Sequence, residues 1–195
     1  MNRQNLRNLV VILVTALAII GALLLIRQPW RDDGGSGGQG EGASTPVDID
    51  LPAGQAAPKV GQPAPDFTAT TIDGQTLTLS EADQPVWLLF GATWCTNCRL
   101  EAPDVAAIAE AYQGRAQVVA VYIGEDAGTV QRYADRVGLA YPQIADTADT
   151  IAAAYAVMGI PAHFFIGTDG TIGKIAVGQL SRASAAGELD ALLEG

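Results

Sequence analysis

The chain has 195 residues, a length that accommodates one ordinary domain and an additional segment. It carries 21 acidic against 11 basic side chains, and its formal net charge is −10. Binding to a phosphate backbone requires clustered basic side chains, so this composition argues against a nucleic-acid-binding protein. The two cysteines are too few for the disulfide framework of a small secreted domain.

An apolar run near the N-terminus predicts a membrane anchor at residues 9–26. The eighteen residues from Leu9 to Ile26 carry no charge. As a helix they would extend about 27 Å, close to the roughly 30 Å of a hydrocarbon core. Arg3 and Arg7 precede the run, so residues 1–8 are expected in the cytoplasm and the rest of the chain outside it. We therefore expect a single-pass protein of the cell membrane with an extracytoplasmic C-terminal domain.

Two other interpretations of the apolar run stay open. A cleaved signal peptide is the first, since Ala16-Leu17-Ala18 resembles a cleavage site, although it lies inside the run. A lipoprotein is the second, although lipidation would need a cysteine directly after the run, where the sequence has none. A retained anchor fits the pattern better than either.

Residues 27–57 are predicted to be a flexible linker, because they include the glycine-rich stretch Gly34 to Gly40 and scattered prolines. Such a chain would let a following domain, predicted at residues 58–195, search the membrane surface.

The predicted domain mixes strand and helix signals. Two strands flanking Asp73-Gly74 are predicted to form a hairpin. The apolar runs Val86–Phe90 and Gln117–Ile123 are predicted to be buried strands, joined by a helix from Cys95 toward Tyr112 that Pro103 bends or divides. This is a βαβ unit with a parallel strand pair.

The second half of the domain is predicted to finish antiparallel, which makes the fold α/β. The predicted elements are a helix at Thr129–Val137 closed by Gly138, a helix at Asp149–Val157 closed by Gly159, a hairpin of Ala162–Ile166 and Thr171–Val177 around Asp169-Gly170, and a helix from the cap Ser181 to Leu193.

The two cysteines form the motif Trp94-Cys95-Thr96-Asn97-Cys98, placed where a buried strand ends and a helix begins. The unpaired amides and the dipole of a helix N-terminus favour a thiolate, so Cys95 is the expected nucleophile. Cys98 lies one helical turn later and can resolve a mixed disulfide between Cys95 and a substrate.

Metal binding is an alternative use of the cysteine pair. Structural zinc needs four ligands, whereas the chain offers two thiols and the single histidine His163. A copper carrier that uses the thiol pair and His163 stays open. We expect neither a resident metal nor another cofactor.

Four motifs, in this order and spacing, resemble the TlpA/ResA-like branch of the thioredoxin superfamily. They are Pro65-Asp66-Phe67 before the Asp73-Gly74 turn, Trp94 to Cys98, Glu101 with Pro103, and Gly159-Ile160-Pro161 before a phenylalanine-rich strand.

The resemblance covers about 135 residues from about Val60 onward and implies a thioredoxin fold with an N-terminal hairpin. It also implies an extracytoplasmic dithiol–disulfide enzyme, often a reductant of apocytochrome c cysteines, which a membrane electron donor recharges.

Pro161 matches the position where thioredoxin folds carry a cis-proline facing the cysteine pair. A proline donates no ladder hydrogen bond, so the backbone of Ile160 is expected to pair with an extended substrate beside Cys95. Trp94 is expected to flank Cys95, to limit the access of water and to offer an apolar surface to substrates.

Glu101 lies three residues after Cys98 on the same helix and matches the helix glutamate of the ResA-like proteins. The strand Val86–Phe90 lacks the buried acid that thioredoxin itself carries there, so Glu101 is the leading proton acceptor for Cys98. A solvated surface charge is the alternative. His163 departs from the family pattern and is expected to be an imidazole on the strand surface, although it could tune Cys95.

The sequence as a whole predicts a thiol–disulfide oxidoreductase of extracytoplasmic proteins, with a reductant as the expected direction. A peroxidase of the peroxiredoxin branch is disfavoured, because Ala92 stands where a threonine would precede the reactive cysteine.

Overall fold

The computed structural model describes residues 57–194 and the backbone of the two-residue strand Val47–Asp48. The predicted N-terminal segment at 1–8, the predicted anchor at 9–26 and most of the predicted linker at 27–57 lie outside the described residues. Within 57–194, no helix combines the length and the apolar character that are needed to cross a membrane.

The described secondary structure alternates strands and helices. In chain order the elements are β1 (Val47–Asp48), β2 (Thr68–Thr70), β3 (Thr76–Thr78), β4 (Val86–Gly91), α1 (Thr96–Ala111), β5 (Gln117–Ile123), α2 (Ala127–Val137), β6 (Gln143–Asp146), α3 (Thr150–Ala154), β7 (Ala162–Ile166), β8 (Ile172–Val177) and α4 (Arg182–Glu194). A single 3₁₀ turn, Leu79–Glu81, follows β3.

A five-stranded mixed sheet with the order β6-β5-β4-β7-β8 forms the centre of the fold. β4, β5 and β6 are parallel neighbours, whereas β7 is antiparallel to β4 and β8 is antiparallel to β7. Every residue of the central strand β4 is buried. The predicted parallel start and antiparallel finish of a thioredoxin fold are confirmed.

Each face of the sheet carries its own core, because successive side chains of a strand point to opposite faces. Leu88 and Phe90 of β4 pack with α3 and the β2–β3 hairpin. Trp87 and Leu89 pack on the other face with α1, α2 and α4. The cysteine motif follows shortly after the end of this strand.

The predicted N-terminal hairpin is present as β2 and β3, with Gly74 in the left-handed region at φ +84°. β1 adds a third strand by pairing antiparallel with β2. The two residues of β1 fall inside the segment that the sequence predicts as a linker, and they extend this small sheet instead.

The structure differs from the predicted elements in three places. Pro103 leaves α1 as one continuous helix. The predicted helix 149–157 is shorter, at Thr150–Ala154, because Asp149 and Ala156 both adopt left-handed backbone conformations. β6 was not predicted, because the polar residues at its ends, Gln143 and Asp146, interrupt the apolar pattern of a buried strand. All four of its residues are nevertheless buried.

The buried carboxylate of Asp146 stabilises α3. It accepts hydrogen bonds from the amides of Thr150 (2.8 Å) and Ala152 (2.9 Å), although burial raises its pKa above the ordinary value. We expect Asp146→Asn, which replaces one acceptor by a donor, to lower the free energy of unfolding by about 1–3 kcal/mol. Denaturant titration of the purified full-length chain measures this loss.

Asp149→Asn is the matched control for Asp146→Asn. It removes the same charge from a residue whose side chain makes no capping hydrogen bond, and asparagine tolerates the left-handed backbone. Its effect should stay within about 0.5 kcal/mol. Equal losses in the two variants would show that charge, and not the cap, stabilises α3.

Candidate active site: a thiol pair at the start of a helix

Cys95 and Cys98 lie at the N-terminal end of α1, directly after the central strand. Cys95 is the N-cap residue, and its sulfur accepts a hydrogen bond from the backbone N–H of Cys98 at 3.3 Å. Both cysteines are free thiols. The helix N-terminus thus directs an amide at the Cys95 sulfur, which favours negative charge there.

The environment of Cys98 favours the protonated thiol. Burial raises the pKa of Cys98 to about 12, with the hydrogen bond to Cys95 and the Glu101 carboxylate acting in the same direction. A Cβ on Gly91 would lie 3.4 Å from the Cys98 sulfur, so the glycine at the end of β4 lets this thiol approach the strand closely. Ionisation of Cys98 near neutral pH therefore requires a base.

Cys95 lies beside the Ile160–Pro161 peptide bond, which is cis, as the motif predicts. The carbonyl oxygen of Ile160 is 4.0 Å from the Cys95 sulfur. Cys95 itself is only 8% exposed, so little of the residue is open to solvent.

Glu101 is buried, with 2% of its surface exposed, which excludes a solvated surface charge. Its Oε1 accepts a hydrogen bond from the Leu180 N–H at 3.1 Å, whereas Oε2 has no partner among the described residues. Burial raises the pKa of Glu101 to about 7, and Asp104 adds to the rise, while the Leu180 amide opposes it. The carboxyl is thus poised to exchange a proton near neutral pH.

Glu101 and Cys98 line the same small cavity, of about 20 Å³, which is large enough for one water molecule. Three tyrosines, Tyr122, Tyr133 and Tyr141, line its other side. A proton leaving the Cys98 thiol therefore has a protein acceptor inside the same enclosed space.

The expectation that His163 lies on the strand surface is wrong, because this residue is fully buried. β7 lies in the interior of the sheet, and the side chain packs beside the indole of Trp87, with ring centroids 5.8 Å apart. Its Nε2 lies 3.6 Å from Glu101 Oε1. In the sequence, the available signal was a single polar residue, His163, within the otherwise apolar strand Ala162–Ile166.

Trp94 is 67% exposed, more than a residue that shields the thiol from water would be. Met158, two residues before Ile160, is 97% exposed, and Leu100 on α1 is also exposed. These apolar side chains belong to the cysteine motif, to α1 and to the loop before the cis-proline, and their exposed area is available for contact with another molecule.

Glu125, which the sequence did not single out, holds the loop before the cysteines. Its carboxylate accepts hydrogen bonds from the Thr93 N–H at 2.7 Å and the Thr93 hydroxyl at 2.5 Å. Glu125 follows β5, and the carboxyl ends of parallel strands meet at one edge of a sheet. That position was the available signal.

No group of three or more metal-binding side chains is present within residues 57–194. Both ring nitrogens of His163 have other partners, because Trp87 Nε1 donates to Nδ1 at 3.3 Å and the Gly178 carbonyl lies 3.0 Å from Nε2. The described geometry does not favour the copper-carrier alternative.

Comparison with known proteins agrees with this geometry. The model of the AhpC/TSA family matches residues 60–175. The thiol-disulfide oxidoreductase ResA of Geobacillus thermodenitrificans is 32% identical over 130 residues, which are 66% of this chain and 75% of that protein. The thioredoxin-like protein YneN of Bacillus subtilis is 34% identical over 134 residues, which are 67% of this chain and 78% of that protein.

Among solved structures, a putative thiol:disulfide interchange protein DsbE from Chlorobium tepidum superimposes with a TM-score of 0.65 and 26% identity. The match covers 70% of this chain and 99% of that one. The chain therefore belongs to the AhpC/TSA family and, within it, to the ResA-like thiol–disulfide oxidoreductases.

Proposed function

We propose that the chain is a membrane-tethered reductant of disulfides in extracytoplasmic proteins, with Cys95 as nucleophile, Cys98 as resolving thiol and Glu101 as proton acceptor. The observation that carries the proposal is the shared cavity, where a protonated Cys98 and a buried carboxyl with one free oxygen lie next to the helix-capping Cys95.

The reaction proceeds in two exchanges. The Cys95 thiolate attacks one sulfur of a substrate disulfide, the substrate S–S bond breaks, and one substrate thiolate leaves. Cys98 then gives its proton to Glu101 and attacks the Cys95 sulfur, and the mixed disulfide breaks to release the second substrate thiolate. The substrate gains two electrons, and the enzyme ends with a Cys95–Cys98 disulfide.

The weak acidity of Cys98 supports the proposed direction of electron flow. Dithiols become strong oxidants when the protein stabilises their reduced, ionised form. Here burial and the neighbouring carboxylate hold the pKa of Cys98 at about 12, so the reduced form gains little from ionisation of this thiol. The environment of Cys98 therefore supports the proposed direction, whereas the amide that donates to the Cys95 sulfur acts against it.

The substrate surface suits an extended polypeptide. The Ile160 carbonyl offers a backbone acceptor beside the Cys95 sulfur, and Trp94, Met158 and Leu100 surround the site with exposed apolar area. An unfolded segment with apolar residues around its cysteines, such as that of an apocytochrome c, fits this arrangement. A membrane thiol–disulfide carrier would restore the dithiol.

The predicted anchor at residues 9–26 supports the proposed location. Its apolar length matches a bilayer, and Arg3 and Arg7 favour a cytoplasmic N-terminus. The linker would keep the catalytic domain within reach of membrane-bound donors and acceptors on the outer side.

Mutation of each cysteine separates their roles. With a disulfide-containing substrate such as insulin, Cys98→Ser should accumulate a mixed disulfide through Cys95, because the resolving thiol is gone. Cys95→Ser should form no such adduct and should lose reductase activity. Non-reducing electrophoresis detects the adduct, and adduct formation by Cys95→Ser with none by Cys98→Ser would reverse the assignment.

Replacement of Glu101 by glutamine tests the proton acceptor. The acceptor must be ionised to work, so the rate of the resolving step should rise with pH through about 7 in the wild type. In Glu101→Gln the rate at neutral pH should fall about 100-fold and the rise should disappear. Stopped-flow measurement of mixed-disulfide decay gives this profile. Glu110→Gln, at an exposed position of the same helix, should retain the wild-type profile.

The raised pKa of Glu101 also predicts how stability depends on pH. Burial lifts the pKa from 4.5 to about 7, so the native state holds this proton more tightly than the unfolded chain does. The resulting stabilisation is present below about pH 4.5 and is lost as the pH rises through about 7. Glu101→Gln should therefore gain stability relative to the wild type over this interval, whereas a constant difference in urea titrations would contradict the raised pKa.

A further inference from the structure

His163 has no part in the thiol exchange itself, yet it is fully buried and has a polar group on both ring nitrogens. Trp87 Nε1 donates to its Nδ1 at 3.3 Å, and the Gly178 carbonyl oxygen lies 3.0 Å from its Nε2. Glu101 Oε1 lies 3.6 Å from the same Nε2. The ring therefore stands between the indole of β4 and the proposed proton acceptor.

The partners of His163 determine its tautomer. An indole N–H can only donate, so Nδ1 must be the unprotonated acceptor, and the ring hydrogen lies on Nε2. If Nδ1 were protonated, its N–H and the indole N–H of Trp87 would be two donors facing each other with no acceptor between them. Burial also lowers the pKa of His163 to about 4. The ring is thus a neutral donor to the Gly178 carbonyl, with Glu101 Oε1 3.6 Å from the same nitrogen.

The same contacts fix the segment between β8 and α4. The Gly178 N–H donates to the Pro161 carbonyl at 2.8 Å, the Gly178 carbonyl accepts from His163, and the Leu180 N–H donates to Glu101 Oε1 at 3.1 Å. A continuous set of hydrogen bonds therefore connects the cis-proline loop with the carboxyl group of Glu101.

We propose that His163 is a positioning residue for Glu101. Its Nε2–H holds Gly178, so that the Leu180 amide stays on Oε1, and it occupies the Oε1 side of the carboxyl group. Oε2, which has no partner among the described residues, is then the oxygen left for the Cys98 proton. This inference rests on the proposed role of Glu101.

The titratable groups around Glu101 determine how its ionisation depends on pH. Asp104 on α1 is the nearby acid, and it pairs with Arg182 of α4 at 3.3 Å. The other titratable groups around the carboxyl are Cys98 on α1, His163 on β7, Tyr122 on β5, Tyr133 on α2 and Tyr141 before β6. Since His163 stays neutral above about pH 4, it acts on Glu101 as a dipole.

The test compares His163→Leu with His163→Gln in the purified full-length chain. Leucine removes the donor, so the midpoint of the pH profile for mixed-disulfide decay should rise by about one unit, and the rate at pH 7 should fall about fivefold. Glutamine can place an amide N–H where Nε2 lies, and it should restore both values to within about twofold. Alkylation of Cys95 by iodoacetamide should keep its wild-type rate in both variants.

Trp87→Phe provides a second route to the same result. It keeps an aromatic ring in the core but removes the indole N–H, so the tautomer of His163 is no longer fixed, and a smaller upward shift of the profile is expected. This variant carries the test if His163→Leu does not fold. A wild-type profile in His163→Leu or, where that variant does not fold, in Trp87→Phe would overturn the inference.

Glu101→Gln distinguishes the two proposals. If it abolishes the pH dependence while folded His163→Leu leaves the profile unchanged, the positioning role of His163 fails and the proposed function stands. If Glu101→Gln itself retains the wild-type rate and profile, the proton acceptor in the proposed function fails, and the role of His163 fails with it.

Discussion

The burial of the Glu101 carboxyl group beside the Cys98 thiol is the constraint on which the rest of the site depends. Burial disfavours the ionised form of both groups and raises both pKa values, and the Glu101 carboxylate raises the pKa of Cys98 further. Cys95, at the helix N-terminus, has an amide directed at its sulfur instead. One turn of helix thus separates the proposed nucleophile from a thiol that stays protonated unless a base takes its proton.

The fold supplies this asymmetry through the central sheet. β4 is buried along its whole length, and α1 begins shortly after it, which places the thiol pair beyond the carboxyl end of the central strand. Glu125, after β5, holds the loop before Cys95, while Leu180, before α4, holds one oxygen of Glu101. Elements distant in sequence therefore position each reactive group, although the groups themselves lie within seven residues.

The sequence predicted those features that depend on local chemistry. Cys95 at a strand–helix junction and Pro161 in its motif were found because their residue types and spacing carry the information. Three features were not predicted: the burial of Glu101, the contact of Glu125 with Thr93, and the interior position of His163. Each depends on which strands become neighbours. β6 was not predicted for the same reason. The polar residues at its two ends can be buried because the folded chain provides hydrogen-bond partners for them.

The reduction potential of the Cys95–Cys98 pair decides whether the dithiol acts as the proposed reductant. Equilibration of the full-length chain with glutathione buffers at neutral pH, followed by separation of the reduced and oxidised forms, measures its reduction potential. For a reductant we expect a potential of about −250 mV or lower. A potential of about −120 mV, that of a strong oxidant, would contradict the proposed direction of electron flow.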